Sequence, residues 1–287
     1  MLPEQPQGLS ENTYVVDAES AIEMARLLDQ DVLLTESMGG IFPEHQTLDG
    51  IYDIVDIACG PGGWVQNVAL NYPEVEIIGI DISQKMIAYA NAQTQVRHLT
   101  NAHFRIMNVL EPLTFPDASF DLVNIRLIIG VVQREMFSKV LAECYRILRP
   151  NGILRWTEVE AGNLIYAPAV RKLTALIYNA LYQRGYGFST SGESYGLPPK
   201  MRTFLRDLGM RQIQQKAHVL DVSAGTSQNQ SFYDNMNMMI KLFEPFMVEA
   251  GLITEEEVDQ LHQEILNEIR HPDFFVLNFI LTIWGIK

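Results

Sequence analysis

Between Ile51 and Glu160 the chain alternates short apolar runs with segments in which apolar residues recur every three or four positions. The runs Ile51–Ala58, Val75–Ile80, Ala102–Asn108, Phe120–Ile125 and Gly152–Val159 have the length and continuity of buried strands. Helices are predicted to begin near Gly62, Ser83 and Glu135. The last is the best marked: Phe137, Val140, Leu141, Cys144, Ile147 and Leu148 fall on one face, and Arg149-Pro150-Asn151-Gly152 ends it in a turn. Alternation of this kind builds a parallel sheet with helices on both faces, so the pattern predicts a doubly wound, mostly parallel α/β fold.

The flanks read differently. The first dozen residues are polar and carry two prolines. Ser20-Ala-Ile-Glu23 then has the form of a capping box, in which Ser20 accepts from a helix-end N–H and Glu23 reaches back. Ala21, Met24, Ala25, Leu28 and Val32 follow at helical spacing, up to a stop at Met38-Gly39-Gly40. Beyond the core, 161–209 reads as helices and loops carrying tyrosines 166, 178, 182, 186 and 195. Arg211–Val222 reads as a strand and Gln228–Arg270 as two helices, the second opened by the capping box Thr254-Glu-Glu-Glu257. Phe274–Trp284 is an apolar final strand. The expected organisation is a helical cap over 1–50, a Rossmann-like core over 51–160, and helical lid insertions over 161–287 with the last two strands of the same sheet.

Composition narrows the function classes. A 47% hydrophobic content over 287 residues allows a sizeable core. A net charge of −14 repels phosphate backbones and anionic lipid, so neither nucleic acid nor a membrane surface is expected as partner. Cys59 and Cys144 have no metal-site or redox spacing, and no metal site is expected. The longest apolar stretch, Phe274–Ile286, is broken by Asn278 and falls short of the roughly 20 residues that cross a bilayer. The N-terminus has neither the basic region nor the apolar core of a signal peptide, and a soluble, cytoplasmic protein is expected. A homodimer stays open.

The chemistry-bearing feature is Val55-Asp-Ile-Ala-Cys-Gly-Pro-Gly-Gly63, where the first strand turns into the first core helix. Gly60 and Gly62 let backbone pass close to a ligand, and the helix start presents unpaired N–H groups. By itself such a turn is a weak signal, with a tight structural turn as the alternative. Asp81 ends the second strand, at the distance where an acid accepts from ribose hydroxyls. A dinucleotide site would use the same pair. Val65 stands where the G-x-G-x-x-G pattern requires Gly or Ala, however, and no second nucleotide-binding half follows.

With Val-Asp-Ile-Ala-Cys-Gly-Pro-Gly, Gly-Ile-Asp-Ile-Ser with Met86 beyond it, Phe115-Pro-Asp-Ala-Ser-Phe-Asp-Leu-Val123 and Arg146-Ile-Leu-Arg-Pro-Asn-Gly152 in order, the chain resembles the class I S-adenosylmethionine (SAM)-dependent methyltransferases over roughly 51–160. The resemblance implies SAM as cofactor and S-adenosylhomocysteine (SAH) as product. It implies that the Gly60–Gly62 backbone lies along the methionine part, that Asp56 orients the loop, and that Asp81 holds the ribose diol. Ile82 and Met86 would pack on the adenine, with Asn108 and Val109 at its edge; Asn108 replaces an acid frequent in the family. Arg126 would line the cofactor side of the cleft, with a surface salt bridge as the competing role, and Tyr14 would close over the cofactor.

The acceptor side is less marked. In open parallel sheets ligands lie beyond the carboxyl ends of the strands. There Glu158 and Glu160 follow the fifth strand on one face and are candidates for a base or a polar anchor, against pairing with Arg155 or Arg171. His218 is the best-placed histidine, against a structural role. Met236, Met238, Met239, Met247, Phe243 and Phe246 form a wall suited to an irregular hydrophobic ligand, or ordinary core. The expected activity is methylation of an O, N or C atom of a small hydrophobic metabolite, of the kind found in secondary metabolism. The alternative is a SAM-binding protein of the same fold that steers a rearrangement or senses a ligand. A nicotinamide-dependent oxidoreductase is disfavoured by Val65.

Overall fold

A computed structural model describes residues 14–45 and 47–287, with 161–163 as backbone alone. The core alternates as the pattern predicts: β1 (Asp53–Ile57), α2 (Gly63–Asn71), β2 (Glu76–Asp81), α3 (Gln84–Val96), β3 (Ala102–Ile106), β4 (Phe120–Arg126), α4 (Phe137–Ile147) and β5 (Leu148–Tyr166). In front stands α1 (Ala21–Met38). Behind come α5 (Pro168–Gln183), α6 (Pro198–Asp207), β6 (Arg211–Asp221), α7 (Asn229–Glu249), α8 (Glu255–Ile269) and β7 (Phe275–Ile286). The seven strands form one sheet in the order β3-β2-β1-β4-β5-β7-β6. β1 to β5 pair in parallel, while β7 is antiparallel to both β5 and β6.

Strand alternation sorts the core onto two faces. Ile54, Ile77 and Leu122 pack with Trp64, Val68 and Ala90 of α2 and α3. Val55, Ile80, Val123 and Ile125 pack with Phe137 and Leu141 of α4 and with Met201 and Leu205 of α6. A further core joins Leu33, Leu34 and Met38 of α1 to α5, α7, α8 and the apolar start of β7.

The Arg149–Gly152 turn exists as an irregularity inside β5: Phe120 faces Leu148 and Leu122 faces Ile153, so 149–152 loop out, with Asn151 at φ +66°. Arg149 there holds Asp53 at 2.7 Å and Asp121 at 2.8 Å. Asp121 also accepts from the Tyr52 and Asp53 amides, so these two motif segments lock β1, β4 and β5 together and lie in the frame, not in a ligand site.

Two expectations are corrected. β5 runs on to Tyr166, so 164–166 pair with Phe275–Leu277 instead of starting a helical region. A second half-match is the Ser20 box. Ser20 Oγ does accept from the Glu23 amide at 3.4 Å, but the Glu23 side chain turns inward to Tyr14 and Arg26. The Thr254–Glu257 capping box is present in both directions.

Candidate functional site

At the carboxyl ends of β1, β2 and β4 an open cleft of about 1040 Å³ is lined by Asp56, Gly60, Asp81, Ile82, Met86, Asn108, Val109 and Arg126. The sheet order explains the gathering. β1 is central, so the segments that follow it and its neighbours open on the same edge.

Asp81 ties the site together. Its Oδ2 accepts from the Gly60 amide and its Oδ1 from the Ser83 amide, both at 2.9 Å. One carboxylate therefore braces the glycine turn against the end of β2. Each oxygen keeps a further lone pair for a ligand hydroxyl. Burial pushes this carboxyl above its ordinary value, against the pull of the Ser83 and Gly60 amides. Asp56 is buried at the floor, accepts from Asn124 Nδ2 at 2.7 Å, and is pushed up to about 7 by burial. Asn108 Oδ1 accepts from the Leu110 amide at 2.9 Å, which fixes the rim beside Val109.

The two glycines part company. Gly60 lines the cleft, and a Cβ there would face Leu27 at 3.5 Å. Gly62 is not among the lining residues. It caps α2 at φ +79°, its amide bonds to Cys59 O, and a Cβ would strike the Phe104 ring at 2.5 Å and Ala90 Cβ at 3.0 Å. Its lack of a side chain serves close packing of α2 against β3 and α3.

Arg126 reaches the cleft as expected, paired there with Asp31 of α1. Its Nη1 is buried with no protein acceptor, a cost that a bound anionic group would remove. Asp31 also packs so closely on Gly63 that a Cβ there would collide with its carboxylate. Asp31 carries no local signal in the sequence, because its partner lies 95 residues away and no local pattern joins them.

Behind the cleft lies a second cavity of about 1260 Å³, lined by α1, α5, α7 and the ends of β5 and β7. The cleft and this chamber share Tyr14, Leu27, Gln30 and Leu127, which form a throat between them. Tyr14 thus stands where the cofactor side meets the chamber, its hydroxyl donating to Glu23 Oε1 at 2.6 Å. Burial and the Glu23 carboxylate push its phenol up, so it remains a donor. The Met- and Phe-rich helix divides: Met236, Met239 and Phe243 line the chamber, whereas Phe246 and Met247 pack into the core.

Glu158 lines the chamber and is fully buried. Its Oε1 accepts from the Ile128 amide at 3.0 Å and from Trp156 Nε1 at 2.8 Å, while Oε2 has no partner. Burial pushes its carboxyl up to about 8, so it holds a proton at neutral pH. Glu160 lies on the same face, but its oxygens take the Tyr195 and Gly196 amides at 2.7 and 3.2 Å. It acts on the loop that presents Tyr195 to the chamber. Neither acid pairs with Arg155, which is buried against Glu44 and Asn124, nor with Arg171, which bonds to Ile165 O.

His218 does not join this site. It lies on the edge strand β6 opposite Ile280 and lines neither cavity. Burial and the charges of Lys216 and Arg155 hold its ring below the ordinary histidine value. Among the described residues no group of three or more His, Cys, Asp or Glu is arranged to hold a metal, and no helix is long and apolar enough to cross a membrane. Both cysteines are free thiols.

Residues 54–152 match a family model described as a methyltransferase domain. The chain is 25% identical over 182 residues to a demethylmenaquinone methyltransferase from Geobacillus sp., covering 59% of this chain and 75% of that one. It is 31% identical over 113 residues to the protein of that name from Listeria welshimeri, where the match covers 39% of this chain and 47% of the relative, about half its length. In fold it is similar to the crystal structure of the YcgJ protein from Bacillus, with a TM-score of 0.54 at 18% identity over 88% of this chain and 98% of the other.

Proposed function

From a chain that belongs, through its domain at 54–152, to the class I SAM-dependent methyltransferases, we propose a methylating enzyme whose acceptor is a small hydrophobic molecule held in the chamber behind the cofactor cleft. The observation that carries this is the throat. Tyr14, Leu27, Gln30 and Leu127 border both cavities, so a cofactor in the cleft and an apolar molecule in the chamber meet there. The name of the relatives, which methylate demethylmenaquinone, supports a small-molecule acceptor.

The residues present fit SAM. Asp81 has free acceptor capacity for a diol, Gly60 keeps the floor open, and the unpartnered Nη1 of Arg126 suits a carboxylate. Ile82 and Met86 offer an apolar seat for the adenine, with Asn108 and Val109 at its edge. SAM supplies an activated methyl group on a sulfonium and leaves as SAH. Everything else falls to the chain. Its walls exclude water and hold the acceptor in line, which supplies much of the rate in a displacement of this kind. Glu158 anchors a polar atom of the acceptor through its protonated carboxyl; it takes up a proton only in its ionised fraction, which grows toward pH 8. His218, which lines neither cavity, has no part in the reading.

The test is calorimetric titration with SAM, SAH and NAD, followed by SAH release in the presence of neutral and acidic naphthalene derivatives. Binding of the first two and acceptor-dependent SAH release are expected. Binding of NAD alone would overturn the proposal, and SAM binding without SAH release from any acceptor would favour a non-methylating protein of this fold.

A further inference from the structure

The chamber wall contains one permanent cation. Arg26 of α1 lines the cavity and is 6% exposed, and no other Lys or Arg among the described residues lines it. Two of its three guanidinium nitrogens are committed. Nε donates to Glu23 Oε2 and Nη2 to Glu23 Oε1, each at 2.7 Å. Glu23 is itself fully buried and takes the Tyr14 hydroxyl as well. Nη1 is different: its bond to Asn235 Oδ1 runs to 3.4 Å, long for a charged donor.

The surroundings give that donor weight. Walls of Leu, Ile, Val, Met and Phe make the chamber a poor solvent for charge, so a guanidinium there attracts an anion more strongly than one on the surface does. Glu158, the other ionisable lining group apart from the tyrosines, holds a proton and is itself a donor, so among the described residues the charge of Arg26 is balanced by Glu23 alone, on the Nε–Nη2 edge and away from Nη1. Tyr195 also lines the chamber, and its amide donates to Glu160. A cationic acceptor would meet no ionised carboxylate among the described residues of the wall, and a phosphate would bring more charge than a single long donor can satisfy.

Resting on the methyltransferase reading, we propose that the acceptor is an apolar molecule bearing one acidic oxygen, a phenol, an enol or a carboxylate, seated against Nη1 of Arg26. The rest of the molecule fills the aliphatic and aromatic part of the chamber. Because Arg26 connects through Glu23 to Tyr14, the seat lies two hydrogen bonds beyond the throat.

The experiment compares probes of equal size: 2-naphthoate, 2-naphthol and 2-naphthamide, each titrated into the protein saturated with SAH. Removing Arg26 alone would strand a buried Glu23, so the variant is the charge-balanced pair Glu23→Gln with Arg26→Met. The unmodified protein is expected to bind 2-naphthoate at least tenfold more tightly than 2-naphthamide. That preference should shrink to within twofold in the double variant, with SAH affinity kept within threefold. If 2-naphthol follows naphthoate as pH rises, the site takes phenols as well as carboxylates. Equal affinity for naphthoate and naphthamide in the unmodified protein overturns the proposal without any variant, and so does a preference that survives the double substitution. A naphthoate preference in a protein that binds no SAH would instead leave the anion seat standing and remove the methyltransferase reading.

Discussion

The cofactor cleft and the chamber behind it are built on opposite plans. The cleft is made from the ends of consecutive strands between Asp56 and Arg126, and its working groups are backbone amides, one braced carboxylate and one arginine. The chamber is gathered from Tyr14 to Asn278, across helices far apart in the chain, and its walls are apolar with a few polar atoms at one end. The first plan suits a ligand whose shape does not change among enzymes of this fold. The second would let the acceptor change without disturbing the first, because among the described residues the two share only those of the throat.

The contrast is broken most forcefully at the two glycines of the turn. Gly62→Ala places a Cβ against the Phe104 ring and forces an L residue to φ +79°. Overpacking costs about 1–3 kcal/mol and the left-handed backbone about 1–2. The expected loss is roughly 2–4 kcal/mol in urea unfolding, with SAH affinity within threefold once the protein is folded. Gly60→Ala, which faces the cleft, should show the reverse weighting, with less lost stability and weaker SAH binding. A Gly62→Ala protein that is stable but does not bind SAH would return Gly62 to the ligand site.

Next in size is Asp81→Ala. It removes the brace on the Gly60 amide and the acceptor for a ribose diol, charge-assisted contacts worth about 1.5–3 kcal/mol. Calorimetry should show SAH affinity down ten- to hundredfold, with binding of 2-naphthoate to the chamber nearly unchanged. Equal losses for both ligands would mean that the two regions are one unit.

What the sequence made legible follows from this difference. Asp56, Gly60, Asp81, Ile82, Met86, Asn108, Val109 and Arg126 all lie in the cleft because strand ends and the turns after them are local signals, set by period-two runs and glycines. Gly62 lies outside the cleft lining, and sequence shows that a Cβ is absent but not which neighbour occupies the space. His218 was placed by its position late in a strand, yet β6 is the edge of the sheet, and strand order is not a local property. Arg26, Asp31 and Tyr195 were invisible as site residues for the same reason: their partners lie on other elements. Glu158 was legible because it continues a strand whose carboxyl end is fixed by the core; its unpartnered oxygen was not.

Glu158 gives a smaller, pH-dependent test. Its carboxyl titrates at about 8 in the fold, and an exposed chain ionises it near the ordinary value of 4.5. Between those values the folded state holds a proton that the unfolded state has lost. Stability is therefore full below the lower value, declines as pH rises, and levels off once the folded carboxyl ionises near 8. Asp56 and Glu160 are pushed only to about 7, so Glu158 dominates the interval above that. Between pH 7 and 8.5 the unmodified protein should lose about 1 kcal/mol of stability that Glu158→Gln does not lose. Parallel curves for the two proteins would show that Glu158 is ionised at neutral pH. Its Oε2 would then be a buried anion seeking a donor instead of a donor itself.

The smallest test asks whether the two regions come apart. Thr254 caps α8 and lines neither cavity. Its Oγ1 accepts from the Glu257 amide at 3.3 Å, and its own amide donates to Glu257 Oε2 at 2.9 Å. α8 packs Val258, Leu261 and Ile265 behind α5 and α7, which wall the chamber, and it joins no part of the core over α2 and α3. Thr254→Ala should cost about 0.5–1 kcal/mol, the usual worth of an exposed cap. If the chamber half opens as a unit of its own, hydrogen exchange will quicken in α7 and α8 while amides of β1, β2 and α2 keep their rates. SAH should then slow exchange in the core alone, and an acidic naphthalene probe should slow it in α7. Uniform acceleration through the sheet would show instead that the antiparallel pairing of β5 with β7, which runs from Ile153 to Tyr166, welds cleft and chamber into one cooperative body.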